Sequence, residues 1–117
     1  MKELTKALKR EARELNDLAY RRELSAELEK LFEGFTVWKK GDKDIFELVD
    51  SIHAFHNGPA RDLYKAHVML SDSRSAVAYA LAAGTIKESE VSKELRIFLE
   101  PLTEFYRKEL EENGTET

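Results

Sequence analysis

The chain of 117 residues contains no cysteine, two prolines and five glycines. The missing cysteine excludes disulfide bonds, zinc ribbons and thiol nucleophiles, and it is typical of proteins from a reducing compartment. No apolar run approaches the roughly 20 residues of a membrane-spanning helix, and the charged start Met1-KELTKALKRE has no apolar signal core. We therefore expect a soluble, cytoplasmic protein that makes no contact with a membrane.

The scarcity of proline and glycine leaves few points at which a helix would break. Alanine, glutamate, lysine, leucine and arginine dominate the composition, which is typical of a helical protein. No strand-type alternation of apolar and polar residues occurs over any length. We predict an all-α fold, a small bundle of four main helices that forms a single domain over residues 1–111. The polar residues 112–117 are predicted to be a disordered tail.

The net charge is −4, and acidic and basic residues alternate as they do on solvated helix faces. A nucleic-acid-binding protein would usually present a basic face. Here the N-terminal third is close to balanced and the segment from Lys87 onward is acidic. We therefore expect no nucleic-acid partner.

The first predicted helix covers about residues 2–39, and its apolar face changes direction midway. One face carries Leu4, Leu8, Leu15 and Leu18. A second face, rotated by about 180°, carries Leu24, Leu28, Leu31 and Phe35. We interpret the segment as one long helix whose halves bury against different partners, with a break at residues 20–23 as the alternative. The early half would suit a neighbouring subunit, or a helix that packs from the other side.

Three more helices follow, over about residues 44–57, 59–83 and 87–111. Asp44 is expected to cap the second, and Gly58-Pro59 predicts a hairpin or sharp corner before the third. An in-phase apolar stripe favours one helix through residues 71–73, although Asp72 is a good cap for a separate helix. Thr85 or Ser89 would cap the last helix, and Pro101 would kink it.

All three histidines, His53, His56 and His67, lie close to the predicted corner. Asp50 and His53 have the i, i+3 spacing of a carboxylate–imidazole metal pair in helical bundles. On a helical wheel, however, Asp50, His53 and His56 fan over about 120° and do not converge. They are therefore poor metal candidates, and we predict no bound metal and no cofactor. Without a metal, His53 is expected to be a boundary residue, and Asp50 to be solvated or paired with a nearby arginine or lysine.

His56 and His67 lie on apolar faces on either side of the predicted corner. Arg74 shares the stripe of His67, and Arg61 and Tyr64 lie near the start of the same helix. Imidazole can act as a general acid or base, and guanidinium binds carboxylate or phosphate. His56 and His67 are thus catalytic candidates, with Arg61, Tyr64 and Arg74 as residues that would bind a small anionic ligand. A buried polar network, or an interface with an acidic partner, explains the same pattern.

No glycine-rich phosphate loop, serine elbow, His-Glu-x-x-His or EF-hand motif occurs. The two-faced first helix offers more apolar surface than a compact four-helix monomer needs. We therefore predict a small helical protein–protein interaction module that forms a homo-oligomer. The alternative is a ligand- or metal-binding protein, or a small enzyme, with its pocket between the second and third helices.

Overall fold

The computed structural model describes residues 4–69 and 72–115, which form four helices and no strand. Helix α1 is Lys6–Lys39, α2 covers residues 45–69, α3 is Ser73–Ala83 and α4 is Lys93–Thr115. This confirms the all-α bundle of four main helices with a long N-terminal helix. Helix α4 contains Pro101 and is helical on both sides of it.

The ends of the helices follow local capping chemistry. The Thr5 hydroxyl accepts a hydrogen bond from the Leu8 amide at 3.2 Å, and the Asp44 carboxylate accepts one from the Phe46 amide at 3.0 Å. Gly41 and Gly84 follow α1 and α3 with φ angles of 88° and 83°. This left-handed conformation disfavours residues with a Cβ, which is why glycine stands at the end of each of these helices.

Helix α2 is continuous where the sequence predicted a corner, and that prediction was wrong. The backbone is α-helical over Ile45–Phe55 and Arg61–Tyr64, and it has π-helical turns over His56–Ala60 and Lys65–Met69. In a regular α-helix the ring of Pro59 would clash with the carbonyl of Phe55. The wider π turn gives the ring room, so the chain keeps a helical path.

A new helix begins at Ser73, so the prediction of one helix over residues 59–83 was also wrong. Asp72 is extended (φ −99°, ψ 114°), and its carboxylate accepts a hydrogen bond from the Arg74 amide at 3.1 Å. This cap satisfies a free amide of the first turn, which outweighs the in-phase apolar stripe. Leu70 and Ser71 lie outside the described residues.

The last helix begins later than predicted. Residues Glu88–Glu90 form a 3₁₀ turn, and the hydroxyl of Ser92, not Thr85 or Ser89, caps α4 by accepting from the Leu95 amide at 3.2 Å. The helix runs to Thr115 and so includes four of the six residues assigned to the polar tail. Residues 116–117 lie outside the described part of the chain.

The first half of α1 packs against α3 and α4. Their shared core consists mainly of alanine, valine, leucine and isoleucine side chains: Ala12, Leu15, Ala19, Val77, Ala78, Ala80, Leu81, Ile86, Val91, Leu95 and Leu99. The early face of α1 is therefore covered within the chain. Of the two partners considered for it, the helix that packs within the chain is the one observed.

The second half of α1 and the first half of α2 form an antiparallel hairpin, which we call the arm (residues 24–56). A Cβ added to Gly34 would lie 3.8 Å from Leu48 Cδ1, an ordinary van der Waals distance, so Gly34 and Leu48 face each other across the hairpin. Leu48 is buried at this contact. The arm makes the molecule elongated, with extents of 59 × 33 × 25 Å.

An ion pair fastens α1 to the connection between α3 and α4 at the base of the arm. Arg22 donates to both carboxylate oxygens of Glu90 at 2.8 and 2.6 Å, and it also donates to the Thr85 carbonyl at 2.9 Å. These bonds from Arg22, with a further bond from the Lys87 amide, lower the pKa of Glu90 to about 2. The folded state therefore favours ionised Glu90.

We predict that Glu90→Gln lowers the melting temperature at pH 7, and that its deficit relative to the unaltered chain shrinks as the pH falls. Because the pKa of Glu90 is lower in the folded state, ionised Glu90 stabilises the fold fully at pH values above the unfolded-state pKa near 4.5. This stabilisation is lost as the pH falls to about 2. Thermal denaturation between pH 2 and pH 7 measures this, with Glu109→Gln on α4 as control. A deficit that is the same at every pH would contradict the assignment.

Candidate functional site

His67 is the buried polar centre of the molecule, with a side chain that is 8% exposed. Its Nδ1 lies 2.7 Å from Asn16 Oδ1, and its Nε2 lies 2.7 Å from Glu23 Oε2. The ring stacks on Tyr20, with centroids 5.1 Å apart and planes 8° from parallel. Three residues of α1 thus surround one histidine of α2.

The side chain of Asn16 contacts His67 at two places. The Asn16 amide nitrogen donates to the His67 carbonyl at 3.2 Å, and the amide oxygen faces Nδ1 of the ring. Each ring nitrogen of His67 is thus within hydrogen-bond distance of one oxygen atom of α1.

The partners of His67 were missed from the sequence, although a signal for them exists. Asn16, Tyr20 and Glu23 recur at i, i+4 and i+7 and therefore share one face of α1. They lie where the apolar face of this helix changes direction. A polar stripe at such a position indicates a buried polar contact, but it does not say which distant residue makes it.

The other histidines do not join His67. His53 and His56 are exposed on α2, as is Asp50. Because α2 is continuous, His56 and His67 lie on one helix, roughly 16 Å apart along its axis, and not on two facing helices. Within residues 4–69 and 72–115, no group of three or more histidine or carboxylate side chains is arranged to hold a metal ion.

Arg61, Tyr64 and Arg74 are all exposed and do not form a shared site with His67. Arg74 Nε instead lies 3.1 Å from the Asp72 carboxylate. Burial acts to raise the pKa of Asp72, but the hydrogen bonds and charge of Arg74 outweigh it and lower the pKa below its ordinary value. Arg74 therefore serves the start of α3.

A cavity of about 400–500 Å³ opens beside His67, and we call it the junction cavity because all four helices contribute to its wall. The polar and aromatic part of that wall consists of Glu23, Asp62, His67, Asp72, Tyr79 and Tyr106. Of the residues that the sequence singled out for catalysis, ligand binding or metal binding, only His67 lines it.

The arm carries a second distinctive feature, an exposed apolar surface. We call it the arm surface, and it consists of Leu28, Phe32 and Phe35 on α1 and of Ile45, Val49 and Ile52 on α2. Phe32 is 70% exposed. A groove lined by Leu28, Leu31, Phe32 and Phe35 runs along the α1 part.

Both stripes of the arm surface face the same way. On the helical wheel of α1, the apolar side chains are rotated in one direction from Gly34, which contacts α2. On the wheel of α2, the apolar side chains are rotated in the same direction from Leu48, which contacts α1. Because the two helices are antiparallel, this places both stripes on one side of the hairpin. The arm surface therefore combines residues of both helices on one side of the arm.

Comparisons of the chain with protein-family models, with curated proteins and with solved structures found no match. Among the described residues, no helix combines the length and the apolar character needed to cross a bilayer.

We predict that His67→Ala lowers the free energy of unfolding by about 2–4 kcal/mol, because it removes the stacking contact and leaves Asn16 and Glu23 without their shared partner. Urea denaturation measures this. The control is His56→Ala, an exposed histidine of the same helix, which should change the free energy by less than about 0.5 kcal/mol. If both substitutions lowered the free energy of unfolding equally, the contacts of His67 would not stabilise the fold.

Proposed function

We propose that this chain is a homodimerising helical module in which the arm surfaces of two copies pack against each other. The observation that carries the proposal is the set of exposed apolar side chains on one side of the arm. Exposed apolar surface of this kind is unfavourable in water and marks interaction sites.

The exposed area of the chain supports a partner of substantial size. A compact protein of 13.5 kDa exposes about 6,500 Å², whereas this chain exposes 8646 Å². The excess of roughly 2,100 Å² exceeds the 800 Å² or so that each partner buries in a standard interface. The radius of gyration of 17.5 Å, against about 13 Å for a compact domain of this length, leads to the same conclusion.

A second copy of the chain fits the shape of the arm. Two antiparallel helices with one apolar side are half of a four-helix bundle. Pairing two such hairpins covers both apolar sides at once and encloses Phe32 and Phe35 in a new core. Because a two-fold axis relates identical surfaces, this contact closes on itself as a dimer.

The charges beside the arm surface are complementary to a second copy in antiparallel orientation. Glu29, Glu33 and Lys40 lie within about 40° of one another on the helical wheel, along one edge of the arm surface. The acidic pair lies towards the base of the arm and the lysine lies at its tip. A two-fold axis near Phe35 places Glu29 of each copy beside Lys40 of the other.

The alternative from the sequence, a pocket built from histidine and arginine between two helices, has less support. His56, Arg61, Tyr64 and Arg74 do not line the junction cavity with His67. We prefer the homodimer because these side chains do not share one cavity and because the arm surface is large.

We predict that the chain elutes as a dimer of about 27 kDa, twice its mass of 13.5 kDa, and that Phe32→Glu weakens the dimer roughly 30- to 1,000-fold, since an interface centre residue contributes about 2–4 kcal/mol. Size-exclusion chromatography with light scattering measures the mass across a dilution series. The matched control is Ile97→Glu on α4, which places the same charge at an exposed apolar position outside the arm.

Circular dichroism must show that both variants keep their helix content. Trp38, the only tryptophan, is 37% exposed near the arm tip, so its emission should shift to shorter wavelength on dimerisation. A monomer at every concentration, or equal masses for Phe32→Glu and Ile97→Glu, would falsify the proposed dimer.

The antiparallel orientation has its own test by charge reversal. We predict that Lys40→Glu and Glu29→Lys each weaken the homodimer about 5- to 30-fold, since each loses two rim ion pairs. Mixed together, the two variants should form a heterodimer, because the edge of one is acidic and that of the other basic. Mixing that restores no dimer would rule out this orientation while leaving the apolar pairing intact.

A further inference from the structure

We propose that the junction cavity binds a small organic ammonium ion, with the Asp62 carboxylate as the counter-charge and Tyr79 and Tyr106 as the aromatic wall. The cavity lies at the base of the arm, and its wall shares no residue with the arm surface. This site is therefore separate from the proposed dimer contact.

The size of the cavity suits a small molecule. Its volume of about 460 Å³ lies within the range of roughly 300–1,000 Å³ found for ligand pockets. Residues from α1, α2, α3 and α4 meet around it, and sites between the helices of bundles are common positions for ligands. Leu63, Ala66 and Ala76 supply apolar wall on which methyl or methylene groups would pack.

The charge of the wall favours a cation over the small anion expected from the sequence. Within residues 4–69 and 72–115, three carboxylates line the cavity, Glu23, Asp62 and Asp72, and no lysine or arginine does. Glu23 is paired with His67, and Asp72 with Arg74. Asp62 has no hydrogen bond to another described residue, so its carboxylate is available to a ligand.

The aromatic residues distinguish an organic cation from a metal ion. The Tyr79 and Tyr106 rings lie edge to face, with centroids 5.4 Å apart, and aromatic faces attract ammonium groups through the ring quadrupole. The carboxylates of the described residues are not grouped closely enough to coordinate a metal ion. A methylated ammonium ion uses both the aromatic wall and the carboxylate of Asp62.

The experiment compares choline with 3,3-dimethyl-1-butanol, an uncharged molecule of nearly the same shape. Backbone amide NMR of the full chain follows Ala66, Ser75 and Ala76, which line the cavity, with sodium chloride matching the ionic strength. We expect saturable shifts of these amides with choline alone. Asp62→Asn should weaken choline binding about five- to tenfold, and Asp50→Asn on the exposed side of α2 should leave it unchanged.

Equal shifts with choline, with the alcohol and with sodium chloride would overturn the proposal, as would the absence of any shift with choline. Choline binding that Asp62→Asn leaves unchanged would overturn it as well. Glu23 is not suitable for substitution here, because its loss would also remove the partner of His67. Repeating the titration with Phe32→Glu keeps the result independent of the proposed dimer.

Discussion

The pairing of His67 with Asn16 and Glu23 is the contact on which the arrangement of the helices depends. It is the place where α2, after running back along α1, is fixed to that helix by directed bonds rather than by apolar contact alone. Hydrogen bonds specify geometry more narrowly than apolar packing does. The position of the core relative to the arm, and the walls of the junction cavity, both follow from this fixed crossing.

Local signals in the sequence were enough to predict the helical class, the length of α1 and several helix ends. Asp44 acts through a hydrogen bond to an amide two residues away, so its effect is visible in the sequence. The effect of Pro59 on the helix was predicted wrongly. A π turn that accommodates a proline inside a helix is rare, and neighbouring helices must support it. The capping signal of Asp72 was given too little weight because the apolar stripe of one helix can continue in phase into the next helix.

The candidate site was harder to predict because its contacts join residues far apart in the chain. His67 was identified as unusual, yet its partners Asn16 and Glu23 lie 51 and 44 positions away. The helical wheel also revealed that α1 has two apolar faces. It could not show which face is covered within the chain, since that depends on where α3 and α4 return.

In the sequence, the arm lies between the two segments that form the core, and this affects how the core forms during folding. The core joins residues 12–19 of α1 to residues 77–99, so its formation must close a loop of more than fifty residues. A flexible loop of that length carries a considerable entropic cost. Here most of the loop is an antiparallel hairpin whose contacts, such as Gly34 with Leu48, are close in sequence. Once the hairpin forms, its two ends lie side by side, and the remaining distance that diffusion must close is short.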